Sequence, residues 1–94
     1  MNPAEYPIVA IFGNDTDIEL SIFLEMACEE VLLAPGAKVE LLARPQSCAQ
    51  PIEVHYCSNG LQVFPRKDWD PDWYIRYDGR VVKPEFPTRI SKVL

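Results

Sequence analysis

The chain has one histidine, His55, two residues before Cys57. On an extended strand that spacing puts both side chains on one face. Imidazole beside thiol is the pairing that activates a cysteine nucleophile, and Cys28 is a second candidate nucleophile. Nothing legible in the sequence orients the pair. The simpler reading is a pair of partly buried or surface side chains. The alternative is a small enzyme or ligand-binding domain working from the His55/Cys57 face.

Asp68, Asp70 and Asp72 alternate as at the opening of a calcium loop. The remainder of that pattern fails. Trp73 occupies the place where the sharp turn needs glycine, and Gly79 the place of the bidentate glutamate. These acids are expected in a solvated turn, paired with Arg66 or Lys67. Zinc asks for four ligands in paired spacings, which Cys28, Cys48, Cys57 and His55 do not offer. Gly13 precedes an expected helix start, where phosphates can bind, but Asp15 and Asp17 would repel an anion. Glu25 and Glu29, four apart, suit acid–base work on paper; on an exposed helix they more simply keep a face wet. No metal and no cofactor are expected.

Tyr74, Arg76, Val81 and Lys83, with Arg66 and Lys67 near them in sequence, form the best basic-aromatic cluster. Such a face can stack the bases of a single-stranded nucleic acid. It equally describes the outer side of a hairpin whose long cationic stems lie over tyrosine rings.

These residues must be positioned by short elements. Asn59-Gly60 and Asp78-Gly79 are turn dipeptides, and each predicts a two-residue β-hairpin. In the first, Tyr56 would face Val63, and Val54, Tyr56, Leu61 and Val63 would share an apolar face. In the second, Tyr77 would face Arg80 and Ile75 would face Val82, with Trp73, Ile75 and Val82 on one side. Pro7 to Phe12 reads as a buried strand ending at Gly13. Lys38 to Arg44 reads as another, with Val39, Leu41 and Ala43 pointing one way.

Between those strands, Thr16 and Glu19 match a capping box, and Pro35-Gly36 is a stop. The spacing predicts a helix from about Asp17 to Ala34, with Leu20, Phe23, Leu24, Ala27, Cys28, Val31 and Ala34 toward the core. Ile22, Met26 and Leu33 then form a second apolar stripe among Glu19, Glu29 and Glu30. Either another part of the chain covers that stripe, or it is a partner surface with an acidic rim. The expected fold is α+β: one domain spanning 1–94, with a mainly antiparallel sheet of four to six strands and one long α-helix across a face.

The 94 residues carry a formal net charge of −5, distributed unevenly. Residues 1–37 hold seven acids (Glu5, Asp15, Asp17, Glu19, Glu25, Glu29 and Glu30) and no Lys or Arg. All nine bases fall in 38–94. A general nucleic-acid binder is disfavoured, because phosphate neutralisation needs clustered cations. The N-terminus lacks a basic stretch before an apolar run, and three cysteines cannot all pair in one chain, so a cytoplasmic protein with reduced thiols is expected. The functional expectation is a small acidic interaction protein without catalysis, binding a protein partner or a second copy of itself through the helix. An inhibitor or immunity role, with an acidic surface covering a basic active site, is one form of it.

Overall fold

Strands account for about half of the described backbone. The computed structural model describes residues 2–45, 52–65 and 70–91. Within them lie β1 (Ile8–Gly13), β2 (Leu20–Leu24), β3 (Glu29–Leu33), β4 (Lys38–Leu42), β5 (Glu53–Cys57), β6 (Gly60–Phe64), β7 (Tyr74–Tyr77), β8 (Arg80–Val82) and β9 (Thr88–Ile90), preceded by a 3-10 turn at Pro3–Glu5. They form two sheets: one with strand order β1-β4-β7-β8, the other β5-β6-β2-β3-β9. The first is antiparallel throughout. In the second, β2 runs parallel to β6 and β3 parallel to β9.

The expected α+β fold is therefore wrong. The segment read as the Asp17–Ala34 helix is the β2–β3 hairpin, with Leu20 opposite Leu33 and Leu24 opposite Glu29. No long helix is present among the described residues, and nine strands replace the four to six expected. The physical reason lies in which residues reach the core. Ile22, Leu24, Val31 and Leu33 are all buried, which period-two alternation on each arm of the hairpin allows. A helix would have left Ile22 and Leu33 on its second stripe. The Thr16–Glu19 capping box does not form either. Thr16 donates from both its backbone N–H and its hydroxyl to Asn14 Oδ1, at 3.0 and 2.7 Å.

One core joins the sheets. Val39 and Leu41 from β4 and Ile75 from β7 meet Ile22 and Leu24 from β2, Val31 and Leu33 from β3, Val63 from β6 and Ile90 from β9. Trp73, 1% exposed, completes it, and its indole N–H donates to the Glu25 carbonyl at 2.8 Å. This pins the β2–β3 turn to the start of β7. Leu42 is buried on the opposite face of its sheet, between Ile8 and Tyr74 in register. The N-terminal segment lies over that face. Tyr6 packs edge-on against Tyr74 at 5.7 Å between ring centroids, and Arg76 donates to the Ala4 carbonyl.

Strands do form within Pro7–Phe12 and Lys38–Arg44, with Val39, Leu41 and Ala43 buried as expected. The first is not the buried strand expected: β1 lies at the edge of its sheet, none of its residues is fully buried, and Ile8 and Ile11 are 46% and 59% exposed. The second hairpin register holds. The first hairpin turns at Ser58-Asn59 instead, so Tyr56 faces Leu61, not Val63. Gly60 is held in the strand by close approach: a Cβ there would sit 2.1 Å from the Ser21 carbonyl oxygen. Among the described residues, no helix is long and apolar enough to cross a membrane.

Candidate functional site

The residues assigned to a single helix face are scattered. Ile22 and Leu33 are sealed in the core. Met26 stays half-exposed in the Glu25–Cys28 turn, at the end of the hairpin that also carries Glu29 and Glu30. Glu19 lies at the opposite end. No apolar ridge runs along this hairpin, and six of the seven acids of residues 1–37 divide between its two ends instead of gathering on one face, while Glu5 lies apart in the 3-10 turn.

The second-hairpin cluster is assembled but internally engaged. Tyr74, Arg76, Val81 and Lys83 lie on the outer side of the first sheet, with Arg76 opposite both Glu40 and Val81. Arg76 pairs with Glu40 at 3.1 Å. Lys83 contacts Glu29 at 3.2 Å and Asp72 at 3.4 Å, donates to the Trp73 carbonyl at 2.9 Å and lies 5.0 Å from the Tyr74 ring centroid. Arg66, Lys67 and Asp68 lie outside the described residues.

Around Lys83 the described residues bring together Tyr6, Asp72 and Glu29, a group that sequence spacing could not assemble. Tyr6 donates to Asp72 at 2.7 Å, and that hydrogen bond, with desolvation second, raises its phenol above the usual range. Asp72 N–H in turn donates to Asp70 Oδ1, and Arg44 donates to the Asp70 carbonyl. Glu29 is mostly buried, with its side chain 13% exposed. Burial raises its carboxyl above the ordinary glutamate range, and Lys83 pulls it partly back. Its Oε1 is buried without a hydrogen-bond partner. The group joins the N-terminal segment, the start of β3 and the strand ends flanking β7 and β8. Tyr6, Asp72, Lys83 and Glu29 are linked in one chain of contacts, so the group reads first as a polar clasp.

His55 and Cys57 do share a face, yet each is engaged elsewhere. His55 Nε2 lies 2.7 Å from Glu53 Oε2, and its ring meets Phe64 edge-on at 5.5 Å. Cys57 Sγ donates to the Gly60 carbonyl at 3.0 Å. Among the described residues no group of His, Cys, Asp or Glu has the makings of a metal site. An open groove of 510 Å³ lies between β8 and β9, lined by Val82, Thr88 and Ile90 together with Arg80 and Arg89.

Among the described residues, the loop 14–19, which follows β1, combines apolar and acidic character. Asn14, 2% exposed, fixes it from inside. Its Oδ1 accepts both Thr16 bonds, and its Nδ2 donates to the Ile18 and Leu33 carbonyls at 2.7 and 2.9 Å. Ile18 is 70% exposed, and Asp15, Asp17 and Glu19 around it are exposed as well. Glu19 is 3.4 Å from Arg89. Sequence reasoning took this loop for a helix start; the signal for it was Asn14 before an Asp-Thr-Asp run, the composition of an Asx-type turn. Compared with known proteins, the chain matches no family model, no curated protein and no solved structure.

Proposed function

We propose that the protein is a protein-interaction module without chemistry of its own, and that the loop 14–19 is the surface its partner meets. One observation carries the reading: Ile18 projects, 70% exposed, among Asp15, Asp17 and Glu19, on backbone fastened by the buried Asn14. An apolar anchor on pre-organised backbone binds without first having to be ordered. Its acidic rim selects a basic partner and steers the encounter. An inhibitor or immunity role against a basic active site is one such use. A cytoplasmic setting belongs to the same reading, and the free thiols of Cys28 and Cys57 fit a reducing compartment. Nucleic-acid binding by the second hairpin has less support, because Arg76 and Lys83 are already paired with acids.

Affinity capture from the source cell tests this. The immobilised chain should retain a basic protein at low salt and release it as salt rises. Truncation of Ile18 to Ala should weaken binding roughly tenfold to a hundredfold, the worth of one buried isoleucine side chain. Capture indifferent to Ile18→Ala, or to salt, would overturn the assignment of this loop.

A further inference from the structure

Among the described residues four strands lie at sheet edges: β1 and β8 in one sheet, β5 and β9 in the other. Exposed edges invite pairing with other chains, and proteins blunt them with bulges, shortness, proline or charge. The β1 register shifts between Ile8 and Ala10. Strands β8 and β9 have three residues each, with Pro84 soon after the first and Pro87 directly before the second. By contrast, β5 keeps an unbroken five-residue register with β6, contains no Pro, and carries one acid, Glu53, and no Lys or Arg.

The backbone of β5 is also poised to pair. A two-residue turn at Ser58-Asn59 makes Cys57 and Gly60 exchange both of their hydrogen bonds. Alternation then directs His55 and Glu53 toward β6, and leaves the N–H and C=O groups of Ile52, Val54 and Tyr56 pointing away from it. The side chains of these three share a face with the buried Val63, opposite Val54. Yet Val54 is 45% exposed and Tyr56 88% exposed. The apolar row continues past the cover that the core provides.

We propose that this edge is completed by a second copy of the chain, whose β5 adds antiparallel about a two-fold axis through Val54. In that register Val54 faces the partner's Val54, and Ile52 and Tyr56 face each other across the axis in both directions. Each facing pair exchanges two backbone hydrogen bonds. On the opposite face Glu53 falls opposite the partner's His55, again twice. These are non-hydrogen-bonded positions, where side chains approach most closely. The carboxylate and imidazole already pair along one strand at 2.7 Å, and the dimer would close them into a four-membered ring of alternating partners. A register centred on His55 would instead set imidazole against imidazole. Complementarity of carboxylate acceptor and imidazole donor therefore selects both the occupant and the alignment. This surface is separate from the 14–19 loop, and the proposal does not rest on it.

Sedimentation equilibrium of the full chain tests the proposal. The parent protein should sediment as a dimer. Val54→Pro deletes an N–H that β6 does not use, and should give a folded monomer by circular dichroism and sedimentation. If that variant loses its fold, Tyr56→Lys serves the same purpose through edge charge. Glu53→Lys should weaken association about tenfold, the worth of two symmetric carboxylate–imidazole pairs. The exchanged pair Glu53→His with His55→Glu should restore it. A monomeric parent, or a dimer that survives both Val54→Pro and Tyr56→Lys, would overturn the proposal. Failure of the exchanged pair to restore association would overturn its register.

Discussion

Glu29 is the residue at which sequence and environment pull hardest against each other. Its carboxyl is mostly buried against Lys83, and desolvation raises it above the glutamate value of 4.5. The native chain thus holds that proton more tightly than the unfolded chain does. The resulting contribution to stability is complete below the unfolded value and is lost as pH rises through the folded one. Glu29→Gln removes this titration while keeping the shape. Its stability relative to the parent should rise between acid and neutral pH, read from urea midpoints at each end; a pH-independent difference would contradict the assignment. Two glycines offer a second test. Gly60 has φ 141° and backbone of Ser21 where a Cβ would go, whereas Gly79 has φ 77° and open space. Gly60→Ala should cost about 2–3 kcal/mol, as overpacking does. Gly79→Ala should cost about 1–2 kcal/mol, the local strain of the left-handed region. Thermal or urea unfolding separates the two.

At the scale of elements, the β2–β3 hairpin shows why a helix was the natural expectation. Its turn, Glu25-Met26-Ala27-Cys28, contains no glycine, proline or asparagine, and Cys28 adopts φ 56° there despite its side chain. Nothing in that composition announces a reversal. Leu20, Leu24 and Val31 satisfy both a helical and an alternating pattern, so periodicity alone left the choice open. Tertiary contacts make the turn. The Glu25 N–H donates to the Val63 carbonyl at 2.8 Å, and the Glu25 carbonyl accepts from Trp73. Trp73→Phe keeps an aromatic ring but orphans that carbonyl. It should destabilise the fold by about 1–3 kcal/mol, the cost of an unsatisfied buried group, as measured by denaturant unfolding.

For the molecule as a whole, most pairings join strands distant in sequence: β1 with β4, β4 with β7, β2 with β6 and β3 with β9. Loops must close before these contacts contribute, so refolding is expected in roughly the millisecond-to-second range, typical of β-rich topologies. Stopped-flow tryptophan fluorescence reports it, since Trp73 enters the core. Microsecond folding would indicate more local structure than the two sheets contain. The same topology sets which edges remain open. β5 ends its sheet because β6 is already paired on its other side with β2.

The amino-acid sequence by itself determined the local features: strands at β1 and β4, a reversal near residue 59, the register closed by Asp78-Gly79, and the shared face of His55 and Cys57. Each depends on neighbours only a few residues apart, through alternation, turn chemistry and β-branching. Only the tertiary structure decided that Ile22 and Leu33 lie inside, that six of the seven N-terminal acids divide between two ends of a hairpin, and that Tyr6, Asp72, Lys83 and Glu29 meet. Those outcomes depend on which strands pair across long stretches of chain. The pattern of side chains along β2 and β3 is compatible with two periods, and burial against a second sheet selects one of them.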